Sequence, residues 1–316
     1  MIKTKYINQL LLLMERLCGY SERWTPPRFL GVMLVLIAGL LWSLQGLIFR
    51  QILEAGSWAV LFWRSVGMMP VLLVFLAYRA GGSPWPAVRR TGMSGVIGAL
   101  GLVAAFGGAI VAIQSTTIAN AVFLFAVSPF LTAFLGWVVL RERVGRETWV
   151  AMAIAKVGVF VMVRGGLANG ALLGNVAALI SALGFAVFTV SLRHGGVRDT
   201  LSTVFVGAVF ASVAGLCAGY MQGQVMVGAA ADIGWAMMMG AVTLSGGMVL
   251  YTLGSRVVPA AQLALLSNLE VLLAPFWVWL FLGETATVNT LLGGAILLAA
   301  VSVNAVSGVR GERARA

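Results

Sequence analysis

The sequence is short of charge. Only 10% of its 316 residues are Asp, Glu, Lys or Arg, against about a quarter in a soluble globular chain. A water-facing surface of ordinary size cannot be dressed with so few charges. Thiols and imidazoles are scarcer still: Cys18, Cys217 and His194 are the full set. Two isolated cysteines exclude a disulfide framework, and without a CxxC or a neighbouring histidine they form no metal site. His194 lies beside Arg193 and two glycines in a charged connection, which reads as a solvated loop residue. Paired catalytic carboxylates, a Ser/His set, HExxH and a phosphate-cradling glycine loop are all missing, so an intramembrane enzyme carries little weight and no cofactor, nucleotide or metal is expected.

Apolar residues are in excess, at 60% of the chain, and they come in uninterrupted runs rather than stripes of helix or strand period. A net charge of +11 would suggest a nucleic-acid partner in a soluble protein. Here the basic residues sit mainly in short connections between apolar runs, so no nucleic-acid partner is expected and lipid is the expected solvent.

Crossing a hydrocarbon layer ~30 Å thick takes roughly 20 apolar residues in a helix, because every backbone polar group must find its partner inside the segment. Ten runs approach that length: Phe29 to Phe49, Trp58 to Tyr78, Thr91 to Ile113, Thr116 to Leu140, Thr148 to Val163, Ala171 to Leu192, Leu201 to Tyr220, Ile233 to Ser255, Ala260 to Leu282 and Val288 to Val306. The fifth is short and carries Lys156. Thr91 to Leu140 holds no charge and is too long for one crossing, so it is divided at Gln114-Ser115-Thr116-Thr117, its most polar stretch.

Lys and Arg concentrate on the cytoplasmic side of short loops. With the N-terminus inside, only Arg50 and Arg164 fall in outer connections, Arg64 and Lys156 fall within helices, and every other basic residue falls inside. Both termini are therefore expected in the cytoplasm. Residues 1–27 read as a cytoplasmic extension, either disordered or an amphipathic helix on the membrane surface, and 309–316 as a basic tail.

The two halves repeat. Leu36 to Trp42 and on to Arg50 precede Leu179 to Phe185 and Arg193 by 143 positions, while Phe134 to Glu142 precede Phe276 to Glu284 by 142. Units of five crossings, an odd number, must enter the membrane from opposite faces. The charges agree: Arg141, Arg143 and Arg146 follow the fourth run, whereas the matching Gly283 to Thr287 has no basic residue. The expected fold is an all-α integral membrane protein of ten transmembrane helices in two inverted five-helix repeats, 28–166 and 167–308. In that architecture Pro84 and Asp232, in corresponding hairpins, lie on opposite sides of the lipid.

Several of these positions resemble the drug/metabolite transporter superfamily, in its EamA-type ten-helix exporter branch. The matching residues are Trp63-Arg64, Thr117-Ile118-Ala119-Asn120-Ala121, Ser128-Pro129, and the helix ends Leu140-Arg141-Glu142 and Leu282-Gly283-Glu284. Arg141 stands where that pattern more often has glycine. The resemblance spans about Phe29 to Val306. It implies export of amino acids or other small metabolites from the bacterial cytoplasm through a cavity lined by helices 1, 3, 4, 6, 8 and 9.

Carriers with inverted repeats hold substrate near the midplane between the repeats. Glu270 lies ten residues into its run, ~15 Å deep at 1.5 Å per residue, and Lys156 is comparably deep. A charge there costs at least ~2.5 kcal/mol on insertion scales, so it needs a partner, a wet cavity or a substrate. Either the two pair and hold helices together, or Glu270 meets a substrate ammonium or a proton. Arg64 is close enough to the outer surface to snorkel; turned inward, its planar fork would suit a carboxylate. The cavity candidates are Trp42, Ser43, Gln45, Asn120, Ser128, Phe185, Phe188, Ser245, Gln262, Asn268 and Glu270. Arg64, Lys156 and Glu270 are the candidates for charge coupling. Pro129 and Pro275 are candidate hinges, because proline removes a helix donor. Trp277 and Trp279 are expected to face lipid or its interface.

The sequence therefore reads as a secondary transporter of the bacterial inner membrane, exporting small metabolites, foremost amino acids, by alternating access. A multidrug exporter of organic cations and a passive small-molecule channel are the alternatives. Its partners are a small-molecule substrate and the bilayer, with a homodimer left open.

Overall fold

A computed structural model describes residues 27–142, 144–168, 171–197, 199–258 and 260–313. Within them it leaves aside the side chains of 28, 165–168, 260–262, 264, 265, 267, 268 and 305–313. The amphipathic extension expected at the N-terminus and the last residues of the basic tail lie outside the described residues.

The described chain is helical, without strands. In order come α1 (Arg28–Ser43), α2 (Gln45–Phe49), α3 (Ser57–Ala80), α4 (Trp85–Arg89), α5 (Gly92–Ser115), α6 (Ile118–Phe125), α7 (Ser128–Leu140), α8 (Arg146–Ala168), α9 (Leu172–His194), α10 (Thr200–Met221), α11 (Ala230–Met238), a π-helical segment (Met239–Gly246), α12 (Gly247–Gly254), α13 (Ala260–Leu282) and α14 (Val288–Arg313). Among the described residues seven helical stretches are long and apolar enough to cross a membrane, and shorter apolar windows lie at Leu269–Leu282 and Val288–Asn304. The long charge-free stretch breaks where its polarity rises: α5 ends at Ser115, and the Thr117 hydroxyl caps α6 by accepting the Asn120 N–H at 3.2 Å.

Helix contacts follow the repeat. Exchanging the halves pairs α1 and α2 with α9, α3 with α10, α5 with α11 through α12, α6 and α7 with α13, and α8 with α14. Under that exchange the contact of α5 with α9 becomes that of α12 with α1, and α7 with α9 becomes α13 with α1; α3 with α10 and α8 with α14 map onto themselves. Each of these is a packed contact, so the bundle has an approximate twofold relation. Asp232 and Pro84 agree with it. The Asp232 carboxylate accepts the N–H groups of Leu53, Glu54 and Ala55 at 3.2, 2.8 and 2.9 Å, which fastens it beside the start of α3. Pro84 lies past the other end of α3, where Arg79 pairs with Asp199 at 2.9 Å.

Lipid-compatible side chains cover the outside: Val138, Phe160, Trp279, Phe281 and Leu292 are all more than half exposed, a density of apolar surface that a water-soluble protein rarely presents. Trp277 departs from expectation. Its indole N–H turns inward and donates to the Ser43 hydroxyl at 3.0 Å, because an indole donor finds no partner in hydrocarbon.

The two Leu-x-Glu ends are built alike. Arg141 and Gly283, which correspond, hold φ of 56° and 66°, the left-handed turn that ends a helix. The next residues turn back in the same way, Glu142 N–H to Gly136 O at 3.2 Å and Glu284 N–H to Val278 O at 3.3 Å. A Cβ in that conformation costs roughly 1–2 kcal/mol, which is why glycine suits it. Arg141→Gly is expected to raise stability by about 1 kcal/mol, measured as a higher thermal unfolding midpoint in detergent; an unchanged or lower midpoint would show that the arginine side chain offsets the strain.

Candidate functional site

A cavity of about 790 Å³ lies between the two halves, within the size range of small-molecule sites. Its wall draws on α1, α2, α3, α5, α6, α7, α9, the π-helical segment, α12 and α13, with Thr200 of α10 at its edge. This includes every crossing that the resemblance implied and adds the second crossing, α3. Most of the wall is apolar and aromatic, with Trp42, Phe49, Phe106, Phe125, Phe185, Phe188 and Tyr251. Phe185 and Phe188, one turn apart, have centroids 5.6 Å from each other, and Trp42 lies 5.4 Å from Tyr251.

Of the residues nominated from sequence, Trp42, Gln45, Ser128, Pro129, Phe185, Phe188, Arg64 and Glu270 line this cavity. The others go elsewhere. Ser43 is buried, donating to Leu40 O at 2.7 Å and accepting from Trp277. Asn120 joins Thr116, Asn175 and Thr290 in a buried network beside a separate polar pocket of about 330 Å³. Ser245 is buried and donates to Met68 O at 3.4 Å. Lys156 is exposed on α8, outside the cavity. No ion pair joins it to Glu270 among the described residues. The side chains of Gln262 and Asn268 lie outside the described ones. Pro129 falls in the first turn of α7, after a break at Ala126 and Val127, where a missing N–H costs nothing; Pro275 lies inside α13, which continues through it.

Arg64 differs most from its snorkelling expectation. It is 4% exposed and turned inward, with its guanidinium carbon 4.9 Å from the centre of the Phe106 ring. Its Nη2 donates to Phe106 O at 3.3 Å, and its Nε has no partner among the described residues. The ring contact contributes about 0.5–2 kcal/mol, short of the several kcal/mol that an uncompensated buried charge costs. A counter-anion in the cavity would close that gap. Glu270 lines the same cavity and makes no ion pair among the described residues.

Sequence reasoning passed over Leu244, Met248, Tyr251, Thr252 and Ser255, which line one wall. Their spacing of three and four residues marks one helix face, but the run is apolar all round and the stripe does not stand out. The π-helical segment that carries Leu244 and precedes the other four was equally invisible; such turns are frequent at functional sites because they displace side chains from the regular spiral.

A profile of the EamA-like transporter family matches residues 29–164 and again 172–306. The chain belongs to the EamA-like transporter family. It is 28% identical over 197 residues to an uncharacterized transporter of Archaeoglobus fulgidus, across 61% of this chain and 69% of that one. A crystal structure of another protein superposes with a TM-score of 0.63 at 15% identity, over 88% of this chain and 98% of that chain, and so shares the fold. This member of the family is accordingly a multi-pass membrane transporter.

Gly240 sets the position of Arg64. A Cβ on Gly240 would stand 1.9 Å from the Arg64 carbonyl oxygen, which is backbone and cannot swing away. Gly228 has open space around it. Gly240→Ala is expected to cost about 1–3 kcal/mol and to lower the unfolding midpoint in detergent, with Gly228→Ala unchanged. Equal midpoints for the two variants would show that α3 has room to shift.

Proposed function

We propose that this transporter is a secondary carrier that exports small zwitterionic metabolites, foremost amino acids, across the bacterial inner membrane by alternating access. In this reading its two five-helix repeats, 28–166 and 167–308, supply ten crossings and both termini face the cytoplasm.

One observation carries the substrate class. Arg64 and Glu270 line the same apolar-walled cavity, and neither has an ion-pair partner among the described residues. A zwitterion satisfies both at once. Its carboxylate would sit against the guanidinium fork, a geometry that carboxylates match well, and its ammonium against Glu270. The aromatic wall would take the remaining apolar part of the substrate. A lone organic cation would use Glu270 and leave Arg64 uncompensated, which disfavours a multidrug exporter. Alternating access is supported by the repeat, since inverted units give nearly equivalent packings facing either way. Lys156 has no place in this scheme.

Reconstituted in liposomes, the protein is expected to show saturable counterflow of at least one labelled amino acid. Glu270→Gln and Arg64→Met should each reduce it by about tenfold or more, the loss of a charged hydrogen bond to substrate, with Lys156→Gln unchanged. Saturable transport of no amino acid would reject the substrate class. Flux that neither saturates nor responds to substrate on the far side would point to a passive channel.

A further inference from the structure

Arg50 and Arg193 occupy equivalent positions of the repeat, and so do Glu142 and Glu284. The structure pairs them crosswise. Arg50 Nε donates to Glu284 Oε2 at 2.9 Å, and Arg193 Nη2 lies 2.5 Å from Glu142 Oε1. Each pair takes its arginine from the first helix of one half and its glutamate from the fourth helix of the other. Exchanging the halves turns one pair into the other. They lie at opposite ends of the bundle: Arg50 follows α2 near Thr116, whereas Arg193 lies in the last turn of α9, just before the connection to Asp199.

Equivalent by sequence, they are unequal in structure. Arg50 and Glu284 are 28% and 21% exposed, and the pair is tied into the backbone, with Arg50 Nη2 donating to Thr116 O at 3.3 Å and Ile118 N–H to Glu284 Oε1 at 2.7 Å. Arg193 and Glu142 are 50% and 39% exposed, with no further side-chain bond of either among the described residues. The central cavity has the same asymmetry. Toward the Arg193 end its lining runs out to Arg79, Ser255 and the exposed Arg256. Toward the Arg50 end it stops at buried Gly46, Phe49 and Ile113, and beyond them lies the polar pocket lined by Arg50, Gln114, Thr116 and Thr287.

We infer that the two crosswise ion pairs are the reciprocal latches of the carrier, with Arg50–Glu284 closing the cavity off from the polar pocket in the state seen here. Arg193–Glu142 is its counterpart and gains the same backbone ties when the halves exchange conformations. Such an exchange requires a contact that is strong in one state and weak in the other, because only a difference in interaction between states shifts their populations. The Leu-x-Glu ends supply it, since their left-handed turns present Glu142 and Glu284 at the two mouths. This inference rests on the alternating-access reading, though not on the identity of the substrate.

The test is cysteine accessibility in the full chain with Cys18→Ser and Cys217→Ser, carrying Ala109→Cys in the cavity wall. An impermeant maleimide is applied to membrane vesicles of each sidedness. With both pairs intact, labelling should be fast from the side of Arg256 and slow from the side of Thr116. Arg50→Ala or Glu284→Gln should speed the slow reaction on the order of tenfold and slow the fast one. Arg50→Glu combined with Glu284→Arg should restore the original rates, which also shows that the fold tolerates change at these positions. Arg193→Ala should leave labelling from the Thr116 side unchanged or slower.

Unchanged labelling in Arg50→Ala and Glu284→Gln would overturn the assignment. So would an Arg193→Ala effect in the same direction as theirs, or a charge-reversed pair that restores nothing. Equal labelling from both sides before any change to the pairs would instead remove alternating access itself. Failure to transport amino acids would leave all of these rates as they are.

Discussion

Hydrocarbon offers the backbone no hydrogen-bond partners, and the rest of this structure follows from that constraint. A segment that enters lipid must satisfy its own N–H and C=O groups, which leaves helices, and among the described residues every membrane-length apolar segment is helical. Helices in lipid have little hydrophobic reason to associate, so close approach has to hold them. Glycines supply it where backbones cross: a Cβ on Gly101 would lie 2.7 Å from Gly184 O, and one on Gly158 would lie 2.7 Å from Gly293 O. Contacts that tight fix the spacing of the bundle, and the central cavity lies between the halves.

Polar side chains then divide into two sets. Those with a partner close at hand hold the bundle together: Asp232 gathers three N–H groups of the neighbouring loop, and Ser181 donates to Ala105 O at 2.8 Å across α9 and α5. Among the described residues five buried side-chain atoms lack one, on Arg64, Ser65, Ser128, Asn175 and Thr203, and two of these residues lie at the cavity. Arg64 and Ser128 line it with a buried polar atom that has no partner among the described residues, and the Glu270 carboxylate lines the same wall. Unmet polar demand in an otherwise apolar wall is the chemical character of a binding site.

In the carrier proposed above, the repeat gives this site two approaches. Because the halves are inverted, whatever closes one mouth has a counterpart at the other. The paired helix ends at Glu142 and Glu284 show how a short sequence signature becomes a contact between halves: a left-handed residue ends the helix, and the glutamate after it is delivered to an arginine of the opposite half. The glycine or arginine forms the turn; the glutamate carries the contact between halves.

The residues that could be read without coordinates are those whose cause is local or periodic. Runs such as Leu172 to Leu192 announce themselves by length and apolarity, the break near Gln114 by polarity, and the two halves by the recurrence of Arg50 as Arg193 and Glu142 as Glu284. Glu270 stood out as an ionisable group amid apolar residues. Partnership was not legible, since it depends on which helix faces which. Asn120, Ser43 and Ser245 looked like cavity groups until their neighbours took up their hydrogen bonds, and Trp277 looked lipid-facing until Ser43 received its donor. Lys156 and Arg64 were alike as charges in apolar runs; packing left the first exposed and buried the second against Phe106. The amino-acid order alone determined that this chain is a two-repeat helical membrane protein, because hydropathy and repetition are written along the chain. Only tertiary structure decided which polar groups remain unsatisfied around the cavity, because satisfaction is a property of neighbours brought together from distant parts of the sequence.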